Sequence, residues 1–353
     1  MNNDYLKGRG AQLHTVNRFL KQSYVEEHLE GLDEPFLSNE KTEFLVEYPK
    51  TIVNKVDSPD LSLMYSINPY QGCEHGCSYC YARNVHQYWG LSAGLDFERK
   101  IIVKPDAAKL LEEFLLHPKW KPNTISLSGN TDCYQPAERK FKITRSLLEV
   151  FLKFKHPVGI ITKNSLILRD LDILQELGKL HLVHVMVSIT GLNEQLRSLM
   201  EPRTSSYINR LKTIETLNKA GVACGVMNAP IIPGLNSEEI PSVIKAAAEH
   251  GAVNAGYTIV RLNGAVTEIF HDWLYKNMPD RADKVWHQVQ ACHGGEVSDS
   301  KFGRRMKGEG PEADAIRKLF KLSVNKYMHN PKAYEMDHSI FQRPEKNGQL
   351  NLF

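Results

Sequence analysis

The sequence predicts an α/β protein built on a partial (β/α)6 barrel, and two observations carry that prediction. From about residue 120 to 262, short β-branched runs alternate with longer segments whose apolar residues recur at helical spacing, the pattern of repeated βα units on a parallel sheet. Three cysteines, Cys73, Cys77 and Cys80, crowd into eight positions directly after an earlier candidate strand. In a barrel of this kind function sits on the loops after the strands' C-terminal ends.

The candidate strands span 64–68, 124–128, 158–162, 183–190, 222–232 and 257–261. Between them, Leu147, Leu148, Phe151 and Leu152 form one apolar stripe, and Ile208, Leu211, Ile214 and Leu217 form another, closed by Gly221 where a left-handed residue costs little. Ser237 before residues 238–249, with Gly251 after them, reads as a capped helix. Residues 1–60 read as a polar N-terminal extension, 61–265 as the barrel core, 266–340 as a mainly helical region, and 341–353 as a flexible tail. The glycine-rich loop over 301–311 carries Arg304, Arg305 and Lys307, which could contact phosphates.

A chain of 353 residues suits about two domains or one large barrel with additions. Its 42% hydrophobic, 24% charged and 9% aromatic composition excludes a wholly disordered, collagen-like or membrane-spanning chain. Lys plus Arg number 44 against 41 Asp plus Glu, so the net charge of +3 neither demands nor excludes a nucleic-acid partner. The start, Met1 to Asp4, lacks a basic stretch followed by an apolar run, and a cytoplasmic location is expected. Six cysteines are too few for a disulfide framework, so the crowded three point to metal or redox chemistry.

A structural zinc site takes four protein ligands, and here would have to recruit a fourth, such as His75. A 4Fe-4S cluster takes one ligand per iron, and three cysteines leave one iron open for chemistry.

The spacing Cys-x3-Cys-x2-Cys, with the aromatic Tyr79 just before the third cysteine, resembles the signature of the radical S-adenosylmethionine (SAM) superfamily. The string from Ser66 to Cys73, followed by Cys80-Tyr81-Ala82-Arg83, is similar to its spore photoproduct lyase-like branch, and the resemblance spans residues 49–263. It implies a partial (β/α)6 TIM-like radical SAM barrel in which Cys73, Cys77 and Cys80 hold a 4Fe-4S cluster. It further implies a reductant such as flavodoxin or ferredoxin, and cleavage of SAM to methionine and a 5'-deoxyadenosyl radical that takes hydrogen from a substrate.

The same resemblance allots cofactor contacts to Tyr79, Gly129, Thr131, Lys163, Ser188 and Ala229. Lys163 matches a lysine paired with the methionine carboxylate, Ser188 a ribose-contacting serine, and Ala229 a backbone contact to adenine. The superfamily's usual Gly-Gly-Glu is replaced by Ser128-Gly129-Asn130-Thr131-Asp132, and Thr131 stands where the branch places a hydroxyl. Cys133 is the candidate catalytic thiol, able to give up hydrogen to a radical, although it is offset by about four residues from the cysteine the branch uses. An inert buried thiol is the alternative, and Cys224 and Cys292 read as inert. Arg203, in Glu201-Pro202-Arg203, could clamp an anion or form a helix-entry salt bridge, and Glu138 carries the same two readings.

The terminal Gln349-Leu350-Asn351-Leu352-Phe353 looks like the short peptide with which bacterial repair and replication proteins dock onto the DNA sliding clamp. Together with the lyase-like core it makes DNA the expected substrate, plausibly in repair. The alternatives are a radical SAM enzyme acting on RNA, a peptide or a small metabolite, and a non-catalytic zinc or Fe-S nucleic-acid-binding adaptor.

Overall fold

Each β-branched run in the sequence becomes a strand, because such side chains fit a pleated surface covered by helices. A computed structural model describes residues 5–20, 41–60, 64–328 and 334–344. In chain order the strands are β1 (Glu43–Val46), β2 (Val53–Lys55), β3 (Tyr65–Ile67), β4 (Tyr70–Gln71), β5 (Lys100–Val103), β6 (Ile125–Leu127), β7 (Val158–Thr162), β8 (Val183–Ser188), β9 (Cys224–Ile231) and β10 (Ala255–Ile259).

The main sheet has the order β10-β9-β8-β7-β6-β3-β2. All pairs from β3 to β10 are parallel, and only β2 runs antiparallel, against β3. Among the described residues β10 does not pair back to β3, so the six parallel strands form a partial barrel. Register puts Ile67, Leu127, Ile160 and Val185 on one face, where they join the main apolar core under the helices. Ser66, Ser126, Gly159 and His184 lie on the opposite, inner face.

Several strand ends differ from the sequence reading, β6 and β10 among them. β6 stops at Leu127 because Ser128 takes φ = 76°, a left-handed conformation that ends an extended run. β10 begins earlier, at Ala255, and carries a register shift between Tyr257 and Ile259.

Gly221 closes the helix Tyr207–Lys219 with φ = 79°, as its position predicts. Ser237 does not cap the next helix: its hydroxyl accepts from Gly234 N, and a short 3-10 turn over Ser237–Glu239 leads into the helix Ile240–Glu249.

The polar segment at the N-terminus is more integrated than its weak periodicity predicts. β1 joins β5 and β4 in a small three-stranded sheet, while residues 9–11 are buried against the cysteine loop. At the other end, residues 334–343 run across the strands' N-terminal ends. Tyr334 stacks on His184, Phe341 meets His156 edge-on, and Arg343 donates to the carbonyls of Leu115, His117 and Trp120. This strap covers the end of the barrel opposite the cysteine loop. No helix among the described residues is long and apolar enough to cross a membrane.

Candidate functional site

β3 delivers the chain at its C-terminal end into the cysteine loop. Successive turns, Gly76 N to Cys73 O, Cys80 N to Cys77 O and Arg83 N to Cys80 O, fold the loop into the start of the 3-10 helix Tyr81–Trp89. Cys73 and Cys77 are buried and Cys80 partly so, and all three are free thiols. Burial, foremost, pushes the Cys73 and Cys77 thiols above their ordinary value.

The loop is clamped from three sides. Gln135 donates to Gly72 O at 3.0 Å and accepts from Glu74 N at 3.0 Å. Cys73 N donates to Phe97 O at 2.8 Å, and Ser78 N to Met200 O at 3.0 Å. From the N-terminal segment, Gly10 N and Ala11 N donate to the fully buried carboxylate of Glu98, which Arg83 also grips at 2.5 Å.

Asp132, after β6, ties the loop to the next strand end. Its carboxylate accepts from Thr162 Oγ1 at 2.8 Å and from Lys163 N at 2.7 Å, and lies 3.4 Å from His75 Nδ1. His75 Nε2 meets the Asn164 amide at 3.2 Å, so both ring nitrogens already have neighbours. His75 is therefore not a spare fourth ligand for a zinc site.

The donor set fits a cluster held by three thiolates. Three free cysteines share one loop, His75 is already engaged, and the buried Ser78 hydroxyl between two of the cysteines has no partner among the described residues. Among those residues no three His, Cys, Asp or Glu side chains already stand close enough to grip one ion, so the loop presents its thiols without gathering them.

Apart from Tyr79, in the cysteine loop, the residues allotted to SAM lie at the C-terminal ends of β6 to β9 or just beyond. Gly129 N donates to Asn68 Oδ1 at 2.9 Å, its carbonyl accepts from the Tyr81 hydroxyl, and the Thr131 hydroxyl donates to Tyr70 O at 2.9 Å. Lys163 has no hydrogen-bonded side-chain partner among the described residues, and its charge acts on Cys77 and Glu201. Ser188 is buried at the end of β8, and Ala229 is half-buried before a cis bond to Pro230.

Several side chains are placed differently from the sequence reading. The Tyr79 hydroxyl donates to Glu201 in the interior. Glu201 pairs not with Arg203 but with Arg210, on the helix Tyr207–Lys219, so no helix-entry bridge joins Glu201 and Arg203. Glu138 is fully buried and accepts from Tyr70, Arg169 and Thr144 N, a structural role.

Cys133 lies fully buried in the main apolar core, its amide donating to Ser128 Oγ and its carbonyl accepting from Thr144. The structure thus favours the packed thiol over the radical donor. Arg304 pairs with Asp299 and Glu309, and Arg305 with Asp60, so neither guanidinium is free for a phosphate, whereas Lys307 is exposed. Residues 349–353, which carry the clamp-like peptide, lie outside the described residues.

Sequence reasoning missed Asp132, Gln135, Asn68, Arg83, Glu98 and Arg210. Their only signal is that polar residues cluster at strand ends and around the cysteines, which does not say which of them become buried anchors.

A family model described as the radical SAM superfamily matches residues 67–247. An uncharacterised protein of Mycobacterium tuberculosis (strain H37Rv) is 32% identical over 234 residues, 65% of this chain and 69% of that protein. An uncharacterised protein of Methanocaldococcus jannaschii is 28% identical over 242 residues, 69% of this chain and 86% of that one. Among solved structures, spore photoproduct lyase complexed with dinucleoside spore photoproduct superposes with a TM-score of 0.60 at 16% identity, covering 80% of this chain and 79% of that one. At that identity the likeness is one of fold.

Proposed function

This chain belongs to the radical SAM superfamily, whose members bind a 4Fe-4S cluster and SAM, and on that premise we propose that it is a radical SAM enzyme acting on nucleic acid. The observation that carries the reading is the buried loop presenting Cys73, Cys77 and Cys80 at the C-terminal mouth of the partial barrel, with both ring nitrogens of His75 already engaged. Cys73, Cys77 and Cys80 would hold the cluster. When bound, cluster and SAM together supply reductive cleavage to methionine and a 5'-deoxyadenosyl radical.

The chain's own residues supply position and shelter. Lys163, whose ammonium has no hydrogen-bond partner among the described residues and whose charge acts on Cys77, suits the SAM carboxylate. Asp132 holds the Lys163 backbone and the cysteine loop in one register, so the ammonium and the thiols keep a fixed relation. Burial of the loop under residues 9–11 keeps water from the thiols.

The nucleic-acid reading draws support from the fold shared with a lyase whose structure holds a dinucleoside lesion, and from the terminal peptide Gln349, Leu350, Leu352 and Phe353, which would dock the enzyme on a sliding clamp. An RNA, peptide or small-metabolite substrate would leave the first step the same.

The test is anaerobic reconstitution with iron and sulfide, followed by reduction with SAM and chromatography for 5'-deoxyadenosine, with and without DNA. Formation of the nucleoside, lost in Cys77→Ala together with most of the iron, is expected. A Cys77→Ala protein that retains full iron content and SAM cleavage would overturn the ligand assignment. DNA that leaves the yield and the products unaltered counts against the substrate class.

A further inference from the structure

The partial barrel has an open side, between β10 at one edge and β3 with β2 at the other. The contact spanning it is built from the loop over 299–308 and the segment before β3. Arg305 donates to Asp60 at 2.5 Å and to Ser58 at 2.6 Å, and Gly303 N donates to Asp60 at 2.5 Å. Asp60 thereby accepts from one guanidinium and one amide.

Arg261 stands just beyond β10 in the same neighbourhood, half-buried and without a carboxylate of its own. Among the described residues its guanidinium makes no hydrogen bond or ion pair, and it lies over the ring of Tyr81, 5.9 Å from the Arg261 Cζ to the centroid. Burial, then the nearby Arg305, depress the pKa of Arg261. Two guanidiniums thus share one aspartate, and the surplus charge falls on Arg261.

Tyr81 connects this charge to the site. It follows Cys80 directly, its hydroxyl donates to the carbonyl of Gly129 on the β6 loop, and the residue is 49% exposed, enough to leave room for a ligand beside it. One side chain therefore bridges the cysteine loop, the β6 loop and the end of β10. Beside it stands a guanidinium that is desolvated and unpaired, an arrangement that lowers the cost of binding an anion.

We propose that Arg261 binds a phosphate of the substrate at the open side of the barrel, next to the exposed ring of Tyr81. The proposal rests on the nucleic-acid reading of the site and specifies its anchor. A guanidinium offers two parallel donors to a phosphodiester, and a base beside that phosphate would meet the face of Tyr81.

Binding is measured by fluorescence anisotropy with the anaerobically reconstituted full chain. The probes are a labelled six-nucleotide single-stranded DNA and its counterpart with neutral methylphosphonate linkages. The wild type should prefer the charged strand. Arg261→Gln should cut that preference about tenfold, the scale of one charge-assisted hydrogen bond, while Arg261→Lys keeps most of it. Where the Gln variant does not fold, Arg261→Met, which keeps the stem beside Tyr81, reads the same quantity.

The proposal is overturned if the wild type does not distinguish the two strands, or if Arg261→Gln keeps the wild-type preference. It is equally overturned if the variant weakens SAM binding and leaves the strand preference untouched, since the anion would then be the SAM carboxylate. Failure of the wild type to cleave SAM is a separate result, which removes the radical reading while the strand preference still reports on Arg261.

Discussion

Glu201 and Arg210 form an ion pair at 2.6 Å with both side chains fully excluded from water. Arg210 also donates to the carbonyls of Ser188 and Ser205, and Glu201 also accepts from Tyr79 and Thr190. The pair therefore joins the end of β8 to the residue that precedes Cys80. Leaving one such charge without its partner costs about 3–5 kcal/mol. Arg210→Met is expected to lower the thermal midpoint sharply and to reduce iron uptake, because Tyr79 loses its fixed acceptor. Calorimetry and the iron-to-protein ratio check this, and normal values for both would show that the pair does not position the loop.

Gly10 gives a second handle on the same loop. A Cβ added there would lie 1.7 Å from the carbonyl oxygen of Gly76, a backbone atom that cannot step aside. Gly10→Ala should therefore lift the N-terminal segment off the cysteine loop, at about 1–3 kcal/mol, the range for overpacked sites. Faster iron loss to a chelator, measured anaerobically by absorbance, is the expected outcome. Unchanged loss would mean that the segment does not shelter the thiols.

His156, far from the site, predicts a pH dependence of stability. Trp120 donates to its Nε2 at 3.2 Å and its Nδ1 meets the carbonyl of Pro157 at 3.0 Å, a pattern that suits a neutral ring protonated at Nδ1. Burial, outweighing the Pro157 bond, lowers its pKa from 6.5 to about 4. Between those values the unfolded chain binds the proton and the folded one does not. The contribution is therefore complete above pH 6.5 and is lost as pH falls toward 4, by about 1.4 kcal/mol per pH unit. His75 and His86 are lowered in the same way, so the reading is a difference. His156→Gln should show a shallower loss of stability than wild type from pH 6.5 to 4.5 in denaturant titrations, and identical slopes would refute the assignment.

Cys133→Ala separates packing from chemistry. Removing a fully buried sulfur should cost about 1–2 kcal/mol through lost contacts. Iron content, SAM cleavage and product yield are expected to match wild type. A product yield that collapses while 5'-deoxyadenosine still forms would return the thiol to a radical role.

The sequence by itself determined the parallel βα core, through hydrophobic periodicity, and the cysteine loop, through spacing within eight residues. Both are local signals, carried by residues near one another in the chain. It also placed Gly221 correctly, because a helix C-terminus is closed by the next residue or two.

Only the tertiary structure decided which charges pair and which stay free. Glu201 lies two residues from Arg203 yet bonds Arg210, since the helix Tyr207–Lys219 brings Arg210 inward. Arg304 and Arg305 look available on their loop, but Asp299, Glu309 and Asp60 neutralise them, the last from 245 residues away. Cys133 follows a site-facing loop in sequence and ends in the core, because Ser128 turns the backbone and Thr144 anchors it. Burial and pairing are set by neighbours that the chain brings together from far apart, and a sequence pattern read over a few residues holds no record of them.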